Sequence, residues 1–379
     1  MEHDRIESLV READRCVACG LCVPVCPTYR KTLSEADSPR GRIQLMRGVM
    51  KGDLPLSDRF AEHIDLCLTC RACESVCPNR VEYDSLLRAM RAPIERRAGK
   101  ISRGIRRGAL FTLAHPGLLQ GLGRIYARTR RLFPGRIDRM FPEKIEPVRR
   151  GGTFPAKGRE HGTVGLLLGC VSRVADARTL NASIHVLNAL GYTVKVPGNQ
   201  GCCGALHARY GEDASALVSG NAEAFSGLDA VIGTSSACTA ELARTLPAVD
   251  ISAFLCDARG WEGVEIRPLE ARIAVHEPCS LRNVLKGREP PYALLRRIPG
   301  AEVFPLGGND QCCGSAGSYF LSQPEMANAL LDDKMDRMAE SGASIVATSN
   351  VGCAMSLAPR TGAKVMHPVL ILAQQMGFK

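Results

Sequence analysis

The chain has 379 residues, enough for two or three domains, and 45% of them are hydrophobic, the share of an ordinary globular protein. No run of eighteen apolar residues occurs, which argues against a membrane-spanning helix, and the charged start Met1-Glu-His-Asp-Arg5 is not followed by the apolar segment of a secretory leader. The net charge of +10 is uneven: residues 96–159 hold seventeen Lys/Arg against three Asp/Glu, a local +14, so the remainder is slightly acidic. Seventeen cysteines in a chain without a leader point to metal rather than to disulfides.

Residues 1–95 carry Cys16-Val-Ala-Cys19-Gly-Leu-Cys22-Val-Pro-Val-Cys26-Pro27 and its echo Cys67-Leu-Thr-Cys70-Arg-Ala-Cys73-Glu-Ser-Val-Cys77-Pro78. Each reads C-x2-C-x2-C-x3-C-P, the bacterial ferredoxin spacing for a 4Fe–4S cube. Three thiolates on a tight loop can cap three irons of one cube, and the fourth, past the loop, points at the other. On that pattern Cys16, Cys19, Cys22 and Cys77 hold one cluster, and Cys67, Cys70, Cys73 and Cys26 hold the second. The prolines stop a helix from running through the fourth ligand. Structural zinc wants two C-x2-C pairs in a tetrahedron and does not need two runs of four ending in Cys-Pro. Between the runs, Ser38-Pro39 reads as a helix start. Arg40 and Arg42 then either lie in a solvated first turn or place charge beside anionic clusters or a partner.

Residues 96–160 read as a basic connector in which His115-Pro116 separates two short amphipathic helices, and Gly151, Gly152, Pro155 and Gly158 mark a linker. Such helices suit an anionic membrane surface or an acidic partner, with a solvated linker as the plain alternative. No recognised nucleic-acid motif accompanies the charge, so no nucleic-acid partner is expected.

From residue 161 the chain repeats itself. Strand-like segments near 163–170, 192–196 and 229–234 recur near 272–279, 300–304 and 343–348, alternating with helical stretches, so each copy reads as an α/β unit with a mostly parallel sheet. Cys170, Cys202, Cys203 and Cys238 fall just beyond strand ends in the first copy, and Cys279, Cys312, Cys313 and Cys353 do so in the second. That edge is where open α/β sheets bind ligands, so each copy could hold a further centre. Gly204 and Gly314 would let the backbone approach the bound group closely. Cys256, unmatched in the second copy, reads as core packing. His276 could orient a ligand, coordinate, or simply pack. The fold class is therefore α+β and α/β: a largely helical, two-cluster ferredoxin-like domain at 1–95, the basic helical connector at 96–160, and cysteine-rich α/β units at 161–265 and 266–379.

With these residues placed, the chain resembles the iron–sulfur subunits of bacterial glycolate oxidases. The resemblance rests on the two ferredoxin-type runs, Ser38-Pro-Arg-Gly-Arg-Ile43, the two Cys-Cys-Gly repeats, Cys312-Cys-Gly-Ser-Ala-Gly-Ser-Tyr319 and Asn350-Val-Gly-Cys353. It implies two 4Fe–4S clusters, with one or two further 4Fe–4S or zinc centres on the repeat cysteines; Cys279, Cys312, Cys313 and Cys353 keep the family pattern better. It implies a partner subunit carrying FAD that oxidises a 2-hydroxy acid, glycolate by family preference, and a membrane electron acceptor such as the quinone pool. The expected location is cytoplasmic, peripheral on the inner face of the membrane. Iron–sulfur subunits of D-lactate or glycerol-3-phosphate dehydrogenases are the alternatives, with heterodisulfide-reductase-like subunits ranked lower. The full cysteine-rich motif of that last group ends C-x2-C, and here the first of the pair is Ser235 in one copy and Asn350 in the other. No flavin or nicotinamide fingerprint is present (Gly121-Leu-Gly123 lacks the third glycine), so no catalytic residue for substrate oxidation is assigned to this chain.

Overall fold

The computed structural model describes residues 2–97, 99–129, 146–149 and 151–379. The chain divides into two compact units. The first comprises Met1–Arg107, Leu206–Asp213 and Asp310–Asp333; the second comprises Gly108–Ala205, Ala214–Asn309 and Lys334–Lys379. Stretches 206–213 and 310–333, which lie inside the repeats in sequence, thus group with the N-terminal residues.

The N-terminal part of the first unit is helical, with helices Glu2–Asp14, Pro27–Thr32, Pro39–Lys51, Asp58–Asp65, Ala72–Ser75 and Tyr83–Arg97. Helix Pro39–Lys51 begins as the sequence predicts: Ser38 Oγ accepts from the Gly41 amide, Pro39 supplies the first turn, and Gly52 at φ 81° ends it. Ser57 caps Asp58–Asp65 in the same way, through the Phe60 amide. The apolar residues fall at helical spacing, so Ile43 and Met46 meet Phe60, Ile64, Leu86, Leu87, Met90 and Ile94 in one buried cluster. Each fully buried side chain of this kind contributes roughly 1.5–3 kcal/mol.

The second unit holds two sheets. The first, in the order β1-β3-β2-β4-β5, is built from β1 (Thr153–Phe154), β2 (Gly162–Leu167), β3 (Tyr192–Lys195), β4 (Val231–Gly233) and β5 (Ala248–Asp250). The second, β7-β6-β8-β9, is built from β6 (Ala271–His276), β7 (Ala301–Pro305), β8 (Ile345–Thr348) and β9 (Lys364–Met366). Apart from β1, every pairing is parallel, and β3-β2-β4-β5 repeats as β7-β6-β8-β9. The strand order therefore reverses beside β2 in one copy and β6 in the other, the position at which such sheets open a crevice. The exception lies in the stretch read as a linker: Thr153 and Phe154 pair antiparallel with β3, because the exposed edge of that short strand offers unpaired backbone groups.

The copies pack through reciprocal contacts. Helix Ala177–Ala189 of the first copy packs on Pro368–Gln375 of the second, and Ile251–Asp257 of the first packs on Pro290–Leu295 of the second. The turn Ser280–Leu285 meets helix Ser236–Leu242, as Ser172–Ala175 meets Val351–Leu357. This is the pattern of a two-fold interface within one chain. It buries Leu180, Ile184 and Leu187 with Leu294, Leu295 and Ile371 in a single core. The basic connector forms helices Lys100–Ala114 and Pro116–Thr129, which meet at His115-Pro116 as expected. Its arginines between 130 and 145 lie outside the described residues.

Candidate metal centres

The two ferredoxin-type loops share one backbone conformation. Ala18 and Gly20 in the first, and Thr69 and Arg71 in the second, occupy the left-handed region at matching positions (φ 55°, 88°, 58° and 57°). Left-handed residues between the cysteines wind each loop tightly. Holding non-glycine residues there costs of order 1–3 kcal/mol each and calls for a compensating interaction.

Cys16, Cys19, Cys22 and Cys77 line one hollow of about 470 Å³, counting its solvent-open mouth. Cys26, Cys67, Cys70 and Cys73 line another of about 310 Å³, and Cys73 borders both. Burial pushes the Cys22 thiol up to about 11. Cys73 is raised well above the ordinary thiol range by burial and by the neighbouring Cys70 and Cys67. Thiols gathered in this way cannot all ionise unless positive charge joins them.

That charge is partly built in around the second hollow. Arg42 is 1% exposed and lines it. Its Nε donates to His63 O at 2.6 Å and its Nη1 to Thr28 Oγ1 at 2.9 Å, and Thr28 Oγ1 lies 3.3 Å from Cys26 Sγ. Arg42 Nη2 is 3.5 Å from Asp37 Oδ1, which His63 Nδ1 also approaches at 2.8 Å, and among the described residues Nη2 has no hydrogen-bond partner. A buried cation with an unmatched donor beside four thiols fits an anionic group, and the donor set fits an iron–sulfur cube. Burial opposes ionisation of Cys67, but Arg42 and Arg91 outweigh it and bring its pKa below the usual value. Tyr83 Oη donates to the same sulfur at 3.6 Å.

The backbone of this second loop is clamped. Arg91 donates to Thr69 Oγ1 and Cys67 O, each at 2.9 Å. Arg209 donates to Thr69 Oγ1 at 3.0 Å, Leu68 O at 3.2 Å and Cys67 O at 3.3 Å, and Tyr319 Oη to Leu66 O at 2.8 Å. The Arg209 guanidinium lies 5.4 Å from the Tyr319 ring centroid. Arg209 and Tyr319 each stand six residues past the second cysteine of a Cys-Cys-Gly turn, so they are equivalent positions of the repeat. Nothing local in the sequence marks them, because their partners are more than a hundred residues away.

In the first repeat copy, Cys170, Cys202 and Cys203 are buried and Cys238 is half-buried. Cys202 Sγ and Cys170 Sγ are 3.7 Å apart. Hydrogen bonds with Cys202 and Cys238, then burial, raise the Cys203 thiol well above its ordinary value. Cys170 is raised likewise, first by Cys202. Gln200 ties the Cys-Cys turn to the end of β2, accepting from Leu168 N at 2.7 Å and donating to Leu166 O at 3.0 Å. Asn221 holds the other side through Cys202 O at 2.9 Å and Gly201 N at 3.1 Å. Gly204, at φ 83°, has no room for a Cβ, which would stand 2.8 Å from that of Ala214.

In the second copy, Cys312 and Cys313 belong to the stretch grouped with the first unit, while His276, Cys279 and Cys353 belong to the second. Asn309 repeats the role of Gln200, donating to Val275 O at 2.9 Å and accepting from Glu277 N at 3.0 Å. His276 Nδ1 lies 2.9 Å from Thr348 Oγ1, and burial, with Lys334, keeps the imidazole well below its ordinary pKa and neutral. Asn350 Nδ2 donates to Cys353 Sγ at 3.2 Å, and its Oδ1 accepts from Ser235 Oγ at 2.9 Å. The two positions that lack a cysteine therefore bond to each other across the repeat. Cys256 is half-buried with its thiol 3.4 Å from Pro290 O, away from these groups.

Residues 12–81 match the family described as 4Fe-4S dicluster domain, and residues 164–243 and 273–358 each match the cysteine-rich domain. The fold and the cysteine sites thus define an iron–sulfur protein with a dicluster domain followed by two cysteine-rich domains. The chain is 30% identical to the glycolate oxidase iron–sulfur subunit of Escherichia coli over 95% of this chain and 93% of that protein. It is 31% identical to the probable glycolate oxidase iron–sulfur subunit of Bacillus subtilis, covering 90% and 87%. It is 26% identical to lactate utilization protein A of Bacillus subtilis, covering 55% and 98%. The chain belongs to the glycolate oxidase iron–sulfur subunit family.

The clamp makes a direct prediction. Thr69→Val keeps the side-chain shape but removes the oxygen that both Arg91 and Arg209 bond, and leaving such donors unmet costs about 1–3 kcal/mol. Thr69→Ser keeps the oxygen. The valine variant should unfold at lower urea than the serine variant, followed by far-UV circular dichroism; equal midpoints would show that the hydroxyl holds nothing.

Proposed function

We propose that this chain is the iron–sulfur electron-transfer subunit of a complex that oxidises glycolate to glyoxylate on a flavin-bearing partner. The observation that carries the reading is the pair of cysteine-lined hollows, one with Cys16, Cys19, Cys22 and Cys77 and one with Cys26, Cys67, Cys70 and Cys73. Four thiolates per hollow suit a 4Fe–4S cluster, which passes one electron at a time. Oxidation of a 2-hydroxy acid releases two, so a flavin must take the pair and hand electrons over singly. The names of the relatives support glycolate. Lactate utilization protein A, among the similar proteins, supports lactate as the second reading. The serine and asparagine at 235 and 350 weigh against a five-cysteine, heterodisulfide-type centre.

Cys170, Cys202, Cys203 and Cys238 are assigned a further centre, supported by the close approach of their thiols. Cys279, Cys312, Cys313 and Cys353 are assigned another, iron–sulfur or zinc, on the repeat of the pattern. Anaerobically purified protein should carry about eight irons with matching sulfide from the first two clusters. Replacing Cys202 and Cys203 together by serine should lower metal content while that first complement stays. Zinc in place of iron would overturn the electron-transfer reading, and unchanged metal in the double variant would make the repeat thiols structural.

With a flavin subunit present, glycolate should reduce a dye acceptor faster than D-lactate or glycerol 3-phosphate does. Turnover by this chain alone would overturn the division of labour; a preference for D-lactate would replace the substrate and leave the rest standing.

The acceptor is assigned to the membrane. Among the described residues no helix is long and apolar enough to cross a bilayer. Helix Lys100–Ala114 instead exposes Ile101, Ile105 and Phe111, and Pro116–Thr129 exposes Leu118, Leu122 and Ile125, among arginines. Apolar side chains interleaved with arginine suit the surface of anionic lipid, each basic residue adding about 1 kcal/mol near it. The protein should sediment with phosphatidylserine vesicles at low salt and largely release at high salt. Failure to sediment at low salt would leave these arginines to the flavin partner.

A further inference from the structure

The two cysteine hollows differ in the charge around them. Beside the first, Arg15 and Arg40 reach the loop through Asn79 O at 2.7 Å and Ala18 O at 3.1 Å. Both side chains are about a third to a half exposed, and each is paired with a carboxylate, Glu12 and Glu35 respectively. Their fields are neutralised locally and screened by water. Around the second hollow, Arg42 and Arg91 are 1% and 4% exposed, and Arg209 is partly buried. Asp37 lies against Arg42 but is shared with His63, and Asp65, whose carboxyl burial raises, is shared among Arg91, Arg106 and Arg209. Buried cations keep their field because little water intervenes.

Resting on the reading that each hollow holds a 4Fe–4S cluster, we propose that Arg42, Arg91 and Arg209 give the cluster of Cys26, Cys67, Cys70 and Cys73 the higher reduction potential of the two. Reduction adds one electron and one negative charge to a cluster that is already anionic with its thiolates. Fixed positive charge stabilises the reduced form more than the oxidised one, and donors held on the ligand loop act in the same sense. Among the described residues the cluster of Cys16, Cys19, Cys22 and Cys77 has no comparable buried charge, and it is harder to reduce. Electrons on the dicluster domain therefore rest on the second cluster. Arg209 is a positioning residue supplied by the first repeat copy, and Tyr319, its equivalent in the second, supports it.

The test is a potentiometric titration of the full chain, anaerobic and monitored by electron paramagnetic resonance, with iron and sulfide measured on every sample. The native protein should show two midpoints from the dicluster domain, counted apart from any repeat-centre signal that replacing Cys202 and Cys203 by serine removes. Arg209→Gln should make the upper cluster at least about tenfold harder to reduce, a fall of 59 mV for one electron, and leave the lower midpoint in place. Arg91→Gln should act likewise, Arg209→Lys should keep the upper midpoint, and Arg40→Gln, which removes a charge already neutralised by Glu35, should leave both midpoints in place. Two cubes in the native protein with both midpoints unmoved in Arg209→Gln and Arg91→Gln, or with the lower one moved instead, would overturn the proposal alone. Fewer than two reducible cubes in the native protein would overturn the cluster reading and the proposal with it. Should both glutamine variants lose iron, Arg209→Lys decides: an unchanged upper midpoint supports the role of charge, and a lowered one overturns it.

Discussion

Thiolates repel one another and resist burial, so four of them occupy one small site only where positive charge compensates. This constraint runs through the whole molecule. It accounts for the strained left-handed residues that wind both ferredoxin-type loops, for Arg42 in an interior that otherwise holds Ile43 and Met46, and for the raised thiols of Cys73, Cys170 and Cys203. Around the second hollow the chain supplies part of that charge itself, through Arg42 and Arg91.

The internal repeat serves the same end. Two copies of one sheet topology pack reciprocally into a single core, so the strand order reverses beside β2 and beside β6 by one set of rules. Gln200 and its counterpart Asn309 bond the backbone at the ends of β2 and β6, and Ser235 and Asn350 meet where each copy lacks a cysteine. Six residues past the second cysteine of each Cys-Cys-Gly turn, the same repeat position is Arg209 in one copy and Tyr319 in the other. The difference between the copies at that position gives the second ferredoxin-type loop a cation and the ring that supports it.

Local pattern determined a great deal. The C-x2-C-x2-C-x3-C-P spacing grouped the N-terminal cysteines into the two sets that line the two hollows, Ser38-Pro39 placed a helix start, His115-Pro116 divided the connector, and alternating strands and helices announced two parallel sheets. Each of these is written in residues a few positions apart, within reach of backbone geometry and periodicity. For Arg40 and Arg42 the sequence left solvent and cluster equally open. The tertiary structure decided that, because helix Pro39–Lys51 turns Arg42 inward and leaves Arg40 at the rim. Only the tertiary structure could bring in Arg91, Arg209 and Tyr319, or join Ser235 to Asn350. Their partners lie from roughly twenty to more than two hundred residues away, and a contact at that range leaves no mark on the residues around it.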